Sequence, residues 1–167
     1  MYCEFFGFNE KPFTITPNPN FIFLSDIHRE AFAHLLYGID SHAGFTALTG
    51  EVGTGKTTVL RTLLSQLSPD KYNSALIFNP CLSGEQLLAN ICREFGIESA
   101  ERNSFGYLDD LNRYLLEQNA AGRTVVLVID EAQNLAPNVL EQVRMISNLE
   151  TEREKLIQII LSGQPEL

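Results

Sequence analysis

A chain of 167 residues, 44% hydrophobic and 20% charged, has the length and composition of one globular domain with a sizeable core, which excludes a disordered segment and a disulfide-built miniprotein. Its formal net charge of −9 opposes tight binding to nucleic acid, where affinity comes largely from clustered Lys and Arg, and leaves only a local basic patch as a route to such a partner. No apolar run approaches the ~20 residues of a membrane helix, and "MYCEFFGFNEKPF" lacks a basic region followed by a long apolar block, so the expected location is the cytoplasm.

Residues 1–24 set Pro12, Pro17 and Pro19 among Phe5, Phe6, Phe8, Phe13, Phe21 and Phe23. The prolines forbid one continuous helix and the aromatics forbid a solvated tail, so an ordered arm packed on the core is expected, with residues 25–167 forming that core. From Ser25 the pattern turns helical: Ile27, Ala31, Leu35 and Ile39 recur every four residues, with Ser25 or Asp26 as cap. "FTALTG" reads as a short buried strand, and Val59, Leu60, Leu63, Leu64 and Leu67 form the apolar stripe of the helix after it. "SALIFNP" is a second strand, stopped by Pro80. Ser83 and Gln86 match a capping box, and Leu87, Leu88, Ile91 and Phe95 supply the buried face of the helix it opens. A further helix is expected over roughly Tyr107 to Asn119. "RTVVLVIDEAQ" is a β-branched run without alternation, the mark of a strand covered on both faces. Val139, Leu140, Val143, Ile146 and Leu149 outline the next helix, and "LIQIILSG" gives a fourth strand. Strands alternating with helices imply an α/β fold with a parallel sheet and right-handed crossovers. Cys3, Cys81 and Cys92 lack C-x-x-C spacing, and His28, His34 and His42 are isolated, so the cysteines read as reduced structural thiols rather than a zinc site.

The stretch "TALTGEVGTGKTTVLRTLL" carries the strongest chemical signal. Gly50, Gly55, Lys56 and Thr57 satisfy G-x-x-x-x-G-K-[ST] directly after a strand and at the opening of a helix, as a phosphate loop requires. Residues Gly50, Glu51, Val52, Gly53, Thr54 and Gly55 would turn their backbone N–H groups inward around a triphosphate, aided by the positive end of the helix. Lys56 would sit on the β/γ phosphates, Thr57 would be a ligand to Mg²⁺, and Thr58 would lie near the α-phosphate. A plain glycine-rich turn would need no Lys-Thr there.

"VVLVIDE" supplies the partner site in the right chain order. Asp130 would orient Mg²⁺, directly or through water, and Glu131 would polarise the attacking water. The second acid, together with the absence of an N-K-x-D base-reading motif, favours ATP hydrolysis over GTP switching. Ser162 and Gln164 follow the last strand's core, where they can touch the γ-phosphate or the water; a solvent-exposed strand end is the equal alternative. A small-molecule kinase would need a basic lid segment, and none stands between the helices.

Taken together, "EFFGFNEKPFTITPNPNFIFLSDIHREAFAHLLYGI", "LTGEVGTGKTTVLRTLL", "VVLVIDEAQNL" and "IILSGQPEL" closely resemble the AAA+ ATPases of the general secretion pathway protein A type over essentially the whole chain. The resemblance implies a P-loop NTPase of the AAA+ (ASCE) kind, a three-layer α/β/α sandwich with a mainly parallel sheet in the order 5-1-4-3-2. It places Phe23, Leu24 or His28 near the adenine, although core packing is the simpler role for the Phe23 ring. It implies ATP and Mg²⁺ as cofactors, and as partners other copies of the chain and secretion or pilus assembly proteins at the cytoplasmic face of the inner membrane. Transposition ATPases are similar through the same core, which leaves a nucleotide-dependent target-selection role as the alternative. After "GQPEL" that family continues with a helix, a fifth strand and a helical lid bearing arginines that act in trans. A piece of a longer protein is therefore expected, with a sheet incomplete at its C-terminal end. Within this chain Arg144 and Arg153 are the candidates for such an arginine, and both read more simply as solvated charges or salt-bridge partners on a helix face.

Overall fold

The apolar run from Val125 to Ile129 demands cover on both faces, and in the computed structural model, which describes residues 5–7, 23–78 and 82–167, it receives it. Strands β1 (Phe45–Thr49), β2 (Tyr72–Ile77), β3 (Thr124–Ile129) and β4 (Ile157–Gly163) form one parallel sheet in the order β1-β4-β3-β2. This is the order the resemblance implies for those four strands. Helices α1 (Asp26–Asp40) and α2 (Lys56–Gln66) cover one face; α3 (Gly84–Glu94), α4 (Ser104–Ala120) and α5 (Pro137–Ser147) cover the other.

Alternation along β3 divides the core in two. Val125, Leu127 and Ile129 pack with Leu87, Ile91, Leu111 and Val143 of the three-helix layer. Val126 and Val128 pack with Leu35, Ile39, Leu60 and Leu63 of the two-helix layer. The buried Gln158 is one polar side chain that enters the core paired: it accepts from the Gly44 N–H at 2.7 Å, fixing the start of β1 against β4.

Local signals explain most helix ends. Ser25 caps α1, its hydroxyl accepting from the His28 N–H at 3.4 Å while the His28 ring accepts from the Ser25 N–H at 3.3 Å. The capping box expected at Ser83 is present, with Gln86 returning a bond to the Ser83 N–H at 3.0 Å. Helix α4 starts three residues before the expected Tyr107, because the Asn103 side chain accepts from the Gly106 N–H at 2.9 Å. Strand β2 likewise begins earlier than "SALIFNP" suggests; Pro80 lies outside the described residues.

Two expectations need correction. β1 is not buried on both faces: it is an edge strand of this sheet, and Phe45, Ala47 and Thr49 are exposed on one side. The i, i+4 stripe of α1 is buried only from Leu35 onward, since Ile27, in the first turn, stands 78% exposed beside the cleft described below. Of the aromatic arm, most residues lie outside those described. Among the rest, Phe5 and Phe6 are largely exposed and Leu24 packs against the two-helix layer. Cys92 is a buried free thiol that burial, then the nearby Asp110 charge, pushes up to about 11, which suits an unreactive structural role; Cys3 and Cys81 are outside the described residues.

Candidate functional site

The C-terminal ends of β1, β3 and β4 meet at one rim, the position where open parallel sheets hold ligands. From β1 the chain enters the loop 50–55, whose Gly53 and Gly55 take left-handed backbones at φ 79° and 87°. Hydrogen bonds within the loop and to its neighbours hold it. The Gly50 N–H donates to the Gly163 carbonyl at 3.2 Å, tying it to β4. Thr54 Oγ1 donates to the Glu51 carbonyl at 2.8 Å. Lys56 Nζ folds back on the Gly50 and Glu51 carbonyls, at 2.7 and 2.9 Å. His28 Nε2 meets the Thr54 carbonyl at 2.7 Å.

The His28 contact fixes a tautomer. A carbonyl only accepts, so Nε2 carries the proton, and Nδ1 accepts from Ser25 Oγ at 2.8 Å. One ring thus joins the cap of α1 to the loop before α2. A side chain at Gly55 would put its Cβ 2.9 Å from Nε2, so this approach also requires the glycine. Sequence reading named His28 for another reason, and the bridge, 26 residues apart in the chain, has no local signal.

From β3 come the acids. Asp130 is 1% exposed; its Oδ2 accepts from Thr57 Oγ1 at 2.6 Å and its Oδ1 from the Glu131 N–H at 3.0 Å. Glu131 is half-buried with a left-handed backbone, φ 57°, and its carboxylate accepts from Gln133 Nε2 at 2.6 Å. Gln133, in the 3₁₀ turn Ala132–Asn134, was not among the sequence candidates.

A cleft of about 420 Å³ is lined by Val52, Gly53, Gly55, Lys56, Thr57, Thr58, Glu131 and Gln164. A second, of about 230 Å³, shares Lys56 and adds Ile27, His28, Ala31, Leu48, Gly50, Thr54 and Val59. Ser162 lines neither. It is fully buried, its hydroxyl without a partner among the described residues, which removes the solvent-exposed reading for it. Phe23 is 85% exposed, contrary to the core role expected of its ring: it precedes the α1 cap, outside the apolar layers formed by the described residues. Arg144 is paired in two bonds to Glu141 on α5, which holds the Glu141 carboxyl below its usual range, while Arg153 lies exposed in the bend before β4 rather than on a helix.

Residues 39–167 match the AAA domain family. The whole chain is 52% identical, over 168 aligned residues, to general secretion pathway protein A of Aeromonas hydrophila, and spans 30% of that relative's length. Among solved structures it is similar to Cdc6p of Pyrobaculum aerophilum, with a TM-score of 0.61 and 25% identity over 86% of this chain and 41% of that one. It is also similar to the ADP form of the Aeropyrum pernix ORC2 protein, with a TM-score of 0.64 over 90% and 43% of the two chains; at 18% identity that likeness shows the fold alone. No helix among the described residues is long and apolar enough to cross a membrane. The chain belongs to the AAA domain family, a membership that implies nucleotide binding.

Proposed function

We propose that the chain binds ATP with Mg²⁺ in the 420 Å³ cleft and hydrolyses its β–γ phosphoanhydride. The start of α2 carries this reading. Side chains cap α1, α3 and α4; α5 also lacks a side-chain cap but opens on Pro137, whereas α2 follows Gly55 with no side-chain cap and with Lys56 and Thr57 as its first residues. Its first amides and positive end are left for an anion, beside Lys56 and Thr57.

On this reading the backbone of residues 50–55 cradles the phosphates and Lys56 exchanges its loop carbonyls for the β/γ oxygens, with Thr58 toward the α-phosphate. The residues fit the metal as well. Thr57 and Asp130 bring two hard oxygen donors within 2.6 Å of each other. When bound, Mg²⁺ neutralises charge building on the phosphoryl oxygens. Glu131 takes a proton from water as the water oxygen bonds to the γ-phosphorus; the bond from phosphorus to the bridging oxygen breaks, and ADP leaves with that electron pair. Gln164 reaches the γ-phosphate or the water, and the buried Ser162 hydroxyl is a second polar group at the same strand end. The smaller cleft, with His28 and Ile27 on its wall and Phe23 and Leu24 just before them in the chain, takes the base. In a protein of the length of the Aeromonas relative, turnover would change contacts between copies of the chain and remodel a secretion or pilus assembly at the cytoplasmic face of the inner membrane.

Glu131→Gln in the protein tests this. ATP binding should persist while kcat falls roughly 10²- to 10⁴-fold, the usual contribution of a general base. Turnover at the wild-type rate would overturn the reading.

A further inference from the structure

Glu131 does not stand alone at the cleft. Its carboxylate accepts from Gln133 Nε2 at 2.6 Å, and the other end of that amide, Gln133 Oε1, accepts from the Gln164 N–H at 3.2 Å. The orientation of the amide is determined by its partners: a carboxylate only accepts and a backbone N–H only donates, so a flipped amide would set donor against donor and acceptor against acceptor. One side chain therefore joins the tip of β3 to the first residue beyond β4, and both residues it joins line the cleft.

Two further features serve this link. Glu131 holds a left-handed backbone, φ 57°, a conformation that costs a non-glycine residue free energy and persists where surrounding contacts enforce it. Position 163 carries no side chain, and a Cβ there would stand 2.7 Å from Gln133 Oε1, so glycine is what lets the amide oxygen reach the strand end.

We propose that Gln133 is a positioning residue of the hydrolytic site: it aims the Glu131 carboxylate and couples that aim to the end of β4. The inference rests on the ATP hydrolysis proposed above. A displacement of Gln164 by the γ-phosphate reaches Glu131 through two hydrogen bonds, so occupation of the cleft and orientation of the base become one event. The role is distinct from nucleotide binding, because Gln133 lines neither cleft.

The test is kinetic, on the protein, with ATP affinity measured by titration alongside kcat and KM. Gln133→Ala should lower kcat roughly 10- to 100-fold, the scale of a misaimed catalytic group, and leave KM and ATP affinity within about twofold of wild type. Gln133→Glu has the same shape and still accepts from the Gln164 N–H, but turns a second carboxylate on Glu131; it should lose at least as much kcat. Gly163→Ala, which displaces the amide oxygen, should lower kcat in the same sense. In a Glu131→Gln background, Gln133→Ala should cost nothing further, since the group it aims is gone. Wild-type kcat in Gln133→Ala or Gln133→Glu overturns the proposal. A parallel fall of kcat, ATP affinity and thermal stability in Gln133→Glu also overturns it, by making the residue a general structural support. If Glu131→Gln itself turns over normally, the underlying hydrolytic reading is what fails.

Discussion

β1 and β3 each deliver a loop to the same cleft, and they are held in opposite ways. β3 lies between neighbours on both sides, with Val125 to Ile129 buried on both faces, and Asp130 follows as the last residue of that buried run. β1 is at the edge with one face bare, and the glycine loop it carries is itself largely exposed. Asp130 is therefore fixed by packing, with Glu131 beside it held by Gln133, whereas the glycine loop is fixed by a few polar contacts to α1, to β4 and to its own lysine. This division suits the proposed chemistry. Groups that hold a metal and orient water gain from a rigid support, while a loop that wraps a ligand must exchange its internal bonds for bonds to phosphate.

The sharpest way to test the contrast is truncation on the two strands. Leu127→Ala, at a fully buried position on β3, should destabilise the protein by about 2–5 kcal/mol in urea unfolding. A cost under about 1 kcal/mol would mean that β3 is not the packed support described. An intermediate effect is expected at the polar tether. His28→Ala should cost about 1 kcal/mol of stability through the lost cap and loop bonds. It should also weaken ATP binding about tenfold, equivalent to ~1.4 kcal/mol; unchanged affinity would show that the loop needs no anchor on α1. The smallest effect belongs to the bare face of β1, where Ala47→Ser should stay within about 0.5 kcal/mol of wild type. A larger loss would reveal that this face is covered.

How far the sequence went is visible in the same two regions. The glycine loop between β1 and α2, the position of Asp130 and Glu131 just past β3 and the Ser83 capping box are legible because each is a local pattern whose residues lie within one turn or one loop. The parallel order followed from strand and helix alternation together with the family resemblance. What could not be read was tertiary. The bare face of β1 is invisible in "FTALTG", because Ala and Thr look the same on a covered or an open face. His28 and Thr54 meet only after α1 packs beside β1, and Gln133 gains its place from Gln164, 31 residues away. Phe23 shows the converse error: an aromatic was assigned to the core on hydrophobicity, yet its place just before the α1 cap leaves the ring in solvent.

On the proposed reading the uncapped start of α2, with Lys56, forms an assembled ATP site. Calorimetric titration of ATP and Mg²⁺ into the protein, beside Lys56→Ala, tests it most directly. Saturable binding that Lys56→Ala abolishes is the predicted result. Equal binding by Lys56→Ala, or no binding by a wild-type protein whose circular dichroism shows it folded, would contradict the account.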